Sequence, residues 1–194
     1  MFDPPMSKLV PPSLPSGLVQ RHRLLEQLDA SPGTSLTLLL GYAGAGKSVL
    51  LSAWLATRPA MRHAWMSCHP ADVDPLSFWI TLVAAVRMSE PSFGVDTLDR
   101  IELDGKVDLQ TIGVFSDELR SLSEPLVIIV DDLHEAESDA LWPLLSAFIE
   151  WLPPAHHVVL AGRREPPLPL HRWRVEGRLA EIDNARLAFD DDET

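Results

Sequence analysis

Eight residues, Gly41-Tyr42-Ala43-Gly44-Ala45-Gly46-Lys47-Ser48, restrict this chain more than any other feature. They satisfy G-x-x-x-x-G-K-[ST], in which glycines let the backbone bend so tightly that successive amides point inward at a phosphate. The helix that follows adds its positive N-terminal end. Gly41, Ala43, Gly44, Ala45, Gly46, Lys47, Ser48 and Val49 are therefore the candidate nucleotide contacts. Lys47 can reach the β- and γ-phosphates, and the Ser48 hydroxyl can coordinate Mg²⁺. A chance match in a glycine-rich turn is the alternative. Against it, the loop lies between an apolar run at residues 35–40 and a helical pattern at 47–56, where Leu50, Leu51, Trp54 and Leu55 share one face.

Around this loop, apolar runs alternate with helical spacings. Strands are expected at 63–67, 126–130, 156–162 and 179–182, and helices at 18–30, 109–123 and 138–152. A further helix begins at Asp74-Pro75, an N-cap side chain followed by proline in the first turn, and continues through Leu76, Trp79, Val83 and Val86. Residues 89–108 carry mixed signals, and Pro166–Pro169 reads as a turn. The alternation implies an α/β domain, a parallel sheet with helices on both faces. Its expected extent is 18–189, after an extended proline-rich lead-in at 1–17 and before an acidic end at 190–194.

Two of the strands end in charge. Residues 126–130 run into Asp131 and Asp132, and a buried strand so terminated puts its carboxylates at the sheet edge where the phosphate loop also lies. Asp131 is expected to hold magnesium, directly or through water, and Asp132 to orient or deprotonate the attacking water. The competing reading is that the aspartates cap the next helix. The run Val158-Val159-Leu160-Ala161-Gly162 ends at Arg163, a cation placed to sense a γ-phosphate. Arg164 competes for that role, and either could be a plain surface arginine.

Composition narrows the class. A hydrophobic fraction of 46% with 23% charged residues argues against wholesale disorder. The net charge of -12 opposes nucleic-acid binding by this segment, since phosphate neutralisation needs a basic surface. A local basic cluster at Arg163, Arg164, Arg172, Arg174 and Arg178 is the one exception, and a solvated face is its bland reading. Cys68 is alone, so no internal disulfide forms, and the thiol suits a reducing cytoplasm. His156-His157 is expected at the surface and not as a metal ligand pair. No apolar run reaches the roughly twenty residues of a membrane span, and the proline-rich start is no secretory signal. Most of the six tryptophans fall in apolar runs and are expected in the core.

Several segments recur in order: residues 12–21, the phosphate loop, His63-Ala64-Trp65-Met66-Ser67, Asp74-Pro75-Leu76-Ser77-Phe78-Trp79, Val130-Asp131-Asp132-Leu133-His134, and residues 161–170. Together they resemble the N-terminal ATPase domain of MalT-like transcriptional regulators, the STAND class with a LuxR-type DNA-binding tail. The resemblance spans about residues 11–189. It implies a P-loop NTPase three-layer sandwich whose five-stranded parallel sheet has the order 5-1-4-3-2. It raises Arg163 to the γ-phosphate sensor and lays residues 18–21, with Val19 and Arg21, against the adenine. Ser48 stands where the family often has threonine, and Gly162 where the motif before the sensor often has serine.

By the same resemblance, the function expected is an ATP-binding, slowly hydrolysing switch in which ADP/ATP exchange controls assembly. The winged-helix, helical-repeat and helix-turn-helix regions of such regulators are absent, so the end at 190–194 is expected to be a truncation point. Partners would be ATP or ADP, Mg²⁺, those downstream domains and further copies of the full-length protein, with no nucleic acid or membrane bound by this segment. A small-molecule kinase of the P-loop class, with an arginine-bearing lid in residues 172–178, is the alternative. A domain that binds nucleotide without turnover is the third reading.

Overall fold

In the computed structural model, which describes residues 4–29 and 34–188, strands β1 (Leu36–Leu40), β2 (His63–Ser67), β3 (Val127–Asp131), β4 (His157–Gly162) and β5 (Leu179–Ile182) form one sheet. Its order is β2-β3-β4-β1-β5 and every pairing is parallel. That is the order the resemblance implies. Helices α1 (His22–Asp29), α2 (Lys47–Ala56), α3 (Pro75–Arg87), α4 (Val95–Asp104), α5 (Leu109–Arg120), α6 (Leu141–Trp151), α7 (Leu170–Val175) and α8 (Asn184–Leu187) complete it.

The period of two along each strand divides the core into two layers. Leu38, Met66, Ile128, Val130, Val158 and Leu160 face one way and pack with α3, α5 and α6. Leu39, Trp65, Ile129, Val159 and Ala161 face the other way and pack with α1 and α2. Strands buried on both faces need apolar residues at successive positions, which is why they read as unbroken runs. Trp79 anchors the larger layer, meeting Phe78, Phe115 and Phe148 edge to face. Trp54, Trp65, Trp79, Trp142 and Trp173 are buried, whereas Trp151 is 42% exposed.

Several expectations require correction. The first helix starts at His22, leaving residues 18–21 as loop, and position 30 lies outside the described residues, as do 1–3 and 189–194. The lead-in is not wholly extended. Met6–Lys8 forms one 3-10 turn, and Leu9 enters the core. The unread stretch contains α4, set off by Gly94 and Gly105 at φ 77° and 62°, values that favour glycine. Asp74 stands at the N-cap of α3 but its side chain bonds no amide there. After the proline turn the chain forms α7, and after β5 it forms α8.

His156 and His157 are not surface groups. His156 is 4% exposed, accepts from the Leu126 N–H through Nδ1 (3.1 Å) and so donates to the Leu119 carbonyl through Nε2 (2.8 Å). His157 bridges the Thr34 carbonyl and the Thr37 hydroxyl, each at 2.9 Å. Burial pushes both rings below the ordinary histidine value of 6.5. The folded state therefore holds them neutral while the unfolded chain takes up protons first. Their contribution to stability is full above the ordinary value of 6.5 and is lost progressively as pH falls below it toward their lowered folded values. Thermal melts at pH 7.5 and 5.5 should show the drop, and His156→Gln should make it smaller, with His157 supplying the remainder.

Candidate functional site

The C-terminal ends of β1, β3 and β4 converge. Gly41 follows β1 and donates its N–H to the Gly162 carbonyl at 3.1 Å, joining the start of the phosphate loop to the end of β4. Asp131 closes β3 in register with Ser67. Gly44 and Gly46 have φ near 80° (77° and 80°), and Gly46 delivers the chain into α2 as its N-cap. Gly41 is a glycine for another reason. A Cβ there would lie 2.6 Å from Leu187 Cδ1 of α8 and 3.1 Å from the Ala45 methyl.

Two cavities flank the loop and share Gly44, Gly46 and Val49. One, of about 350 Å³, brings Lys47, Ser48, Asp132 and Arg163 to the loop residues Ala43, Gly44 and Gly46. The other, of about 330 Å³, is mostly apolar and is walled by Leu18, Val19 and Arg21 opposite Ala45, Val49 and Ala53. Val19 remains 45% exposed, so the second cavity is open at that side. The Arg21 guanidinium donates to the Leu187 and Ala188 carbonyls, so it ties the cavity wall to α8.

The charges here are poorly compensated. Lys47 is 6% exposed and its Nζ donates to the Gly41 and Tyr42 carbonyls at 2.8 and 3.2 Å. Burial pushes its ammonium down and Arg163 adds to that, against the opposing pull of Asp132 and Asp131. Asp131 is 2% exposed, and burial together with Asp132 pushes its carboxyl up, while the Ser48 hydroxyl and the Asp132 N–H (2.9 Å) favour its charged form. A phosphate beside Lys47 and a cation beside Asp131 would each relieve the cost of a buried charge.

Asp132 is the single non-glycine with positive φ among the described residues, at φ 52°. It precedes the 3-10 turn Leu133–Glu135 but its side chain caps no amide, which removes the helix-cap alternative for it. Aspartate is one of the few non-glycine residues that tolerate this left-handed conformation, and here it brings the Asp132 side chain to the phosphate-side cavity. His134, named above only as part of a recurring segment, lies half-buried beside it, with Nδ1 3.9 Å from Asp132 Oδ1 and Nε2 3.2 Å from Glu135 Oε1. Arg163 and Arg164 part company. Arg163 lines the phosphate-side cavity, whereas Arg164 pairs with Glu137 at 2.7 Å.

Residues 19–161 match the family described as AAA ATPase domain. The chain belongs to that family. Nucleotide binding is the property its members share, and this AAA domain carries the loop for it. The HTH-type transcriptional regulator MalT of Vibrio parahaemolyticus is 27% identical over 97% of this chain and 21% of that protein. MalT of Serratia proteamaculans is 29% identical over 94% and 20%, and the serine/threonine-protein kinase PknK of Mycobacterium tuberculosis is 28% identical over 94% and 17%. The chain thus spans about a fifth of the length of these relatives. A chain of Drosophila ORC bound to DNA is a fainter likeness, with 14% identity, 89% and 94% coverage and a TM-score of 0.48. No helix among the described residues is long and apolar enough to cross a membrane.

One contact of the site left no sequence signal. The Tyr42 N–H at the head of the loop donates to the Asn184 side chain at 2.8 Å, from a residue 142 positions away. The basic cluster that the sequence left possible is largely neutralised: Arg172 and Arg178 pair with Glu150 and Glu176, and Arg174 with Glu165 and Glu181.

Proposed function

We propose that this domain is the ATP-binding switch of a signal-responsive regulator, distinguishing ATP from ADP by what lies at the γ-phosphate. The observation that carries this reading is that Lys47, Asp132 and Arg163 line one cleft with the loop residues. The loop amides and Lys47 hold the β- and γ-phosphates, and the apolar cavity beside Val19, Arg21 and Val49 holds the base. Ser48 and Asp131 suit Mg²⁺. A small hard cation takes one or two protein oxygens and fills its other positions with phosphate and water, and these two side chains supply no more than that. When bound, the ion neutralises charge on the phosphate oxygens.

Asp132, left free of capping duty, orients the water and takes its proton. Arg163 meets the γ-phosphate and has no counterpart to meet in ADP, and this differential contact is what lets nucleotide exchange bias a two-state assembly. Hydrolysis resets the switch and is slow. The domain works in the cytoplasm alongside downstream domains like those of its longer relatives, and by itself it binds no nucleic acid. The net charge of -12 and the glutamate partners of Arg172, Arg174 and Arg178 support this. The same ion pairs disfavour the kinase reading, which needs those arginines for a lid over the phosphates.

Arg163→Ala tests the assignment. It should weaken ATP roughly tenfold or more, the scale of a hydrogen bond to a charged group, and leave ADP affinity nearly unchanged. Paired calorimetric titrations measure both. Equal losses for the two nucleotides would mean that Arg163 does not read the γ-phosphate.

A further inference from the structure

A third cleft, of about 580 Å³, adjoins the phosphate-side cavity through Ser48 and Asp132. One side is Ser48, Ser67, Asp131 and Asp132. The other is the lead-in, residues 7 and 10–13, a stretch that the sequence presents as an approach to the domain. Something must hold that stretch in place, because it joins no sheet and proline 11 and proline 12 have no N–H to give.

Two anchors do so. Leu9 is 6% exposed within the main core. Lys8 Nζ donates to both carboxylate oxygens of Asp72, at 2.8 and 2.6 Å. Asp72 is fully buried (0%) and also accepts from the His69 N–H at 2.8 Å and the Ser77 hydroxyl at 3.2 Å. A carboxylate so enclosed is tolerable only with a counter-charge, and among its donors only Lys8 brings one. The anchor also lies close to the chemistry. Asp72 follows β2 by a few residues, Ser67 of β2 is in register with Asp131, and the Cys68 N–H donates to the Asp131 carbonyl at 2.8 Å.

We propose that residues 7–13 are the outer wall of a metal-and-water chamber over Asp131 and Asp132, and that Lys8 is the positioning residue that holds this wall through Asp72. The wall's chemistry suits the task. Its prolines are stiff and donate no hydrogen bond, so they narrow the chamber without competing for the carboxylates that the cation and the attacking water require. The proposal rests on the assignment of Asp131 and Asp132 given above.

The test uses the intact chain, with Mg²⁺ titrated against ATP binding by calorimetry and turnover measured alongside. Lys8→Met keeps the aliphatic stem and removes the charge. It should raise the Mg²⁺ concentration for half-maximal ATP binding roughly tenfold, as loss of a group supporting a metal ligand does. ADP affinity in EDTA should stay within about twofold, because residues 7–13 line neither of the other two cavities. Ser7→Trp leaves the Lys8–Asp72 pair intact and fills the cleft, so it should shift the Mg²⁺ dependence and slow turnover without altering the melting temperature. If Lys8→Met does not fold, Ser7→Trp alone decides. A folded Ser7→Trp protein with the parent's Mg²⁺ dependence and turnover would overturn the wall. A parent chain whose ATP binding ignores Mg²⁺ would instead overturn the aspartate assignment, and the wall with it.

Discussion

Lys47→Ala should lower ATP affinity roughly 30- to 700-fold, about 2–4 kcal/mol, the usual loss when one partner of a desolvated charge pair is truncated. The fold should survive. Lys47 is buried at 6%, but its ammonium meets only the Gly41 and Tyr42 carbonyls of its own loop, and no core side chain depends on it. Those bonds also imply that the lysine must leave two carbonyls to meet a phosphate. ADP should therefore suffer less than ATP, since it offers the ammonium one phosphate fewer. Calorimetry with both nucleotides, and a melting curve for each protein, measures the effect. A folded variant with unchanged ATP affinity would remove the phosphate-loop assignment.

Asp131→Asn and Asp132→Asn should fail differently, although the residues are adjacent. Asp131 is buried at the end of β3 and is held by the Asp132 N–H at 2.9 Å, while the Asp132 side chain is 44% exposed. Asp131→Asn should abolish most of the gain that Mg²⁺ gives to ATP binding, an effect of at least about tenfold. It should not destabilise the protein, because burial already disfavours the Asp131 charge and the amide carries none. Asp132→Asn should bind Mg²⁺ and ATP almost normally and hydrolyse roughly 10²- to 10⁴-fold more slowly, the contribution of a positioned base. Binding isotherms with and without EDTA, followed by single-turnover hydrolysis, separate the two. The same defect in both would merge roles that are here kept apart.

The sequence was most legible where one local rule governs a segment. The phosphate loop reads from its glycines, and α2 and β2 begin and end where their patterns predict because nothing nearby competes. The expected boundaries of β5 coincide as well. Helix α4 was illegible for a local reason. Its apolar residues Leu98 and Ile101 are set among Asp96, Asp99, Glu102 and Asp104, so the stripe is narrow and the glycines at its ends carry the signal. The histidines at the start of β4 misled for a tertiary reason: side chains of that type look like surface, and only the carbonyls of Leu119 and Thr34, far off in sequence, make them interior.

The site divides along the same line. That Asp131, Arg163 and the loop share a sheet edge follows from strand endings, and so could be read in advance. Spacing alone does not choose between Arg163 and Arg164, and only the resemblance favours Arg163; the fold adds that Arg164 pairs with Glu137 while Arg163 lines the cleft. Nor could the part played by the lead-in be read in advance, since the Lys8–Asp72 pair joins residues 64 positions apart. Asn184 on the Tyr42 amide belongs with these. Ordinary polar residues become parts of the site through contacts that only the fold creates.

The central claim is that this chain holds ATP on the loop at Gly41–Ser48 with a cation at Asp131, and one titration addresses it most directly. The unmodified chain is titrated calorimetrically with ATP and with ADP, each in the presence of Mg²⁺ and again in EDTA. The account predicts saturable binding at a single site, ATP tighter than ADP, and a preference for ATP that shrinks sharply in EDTA. The open side of the base cavity at Val19 should make ADP the weaker ligand in particular, because it lacks the γ-phosphate contacts. ATP and ADP binding with equal affinity, indifferent to EDTA, would contradict the account, as would no saturable binding by a folded chain.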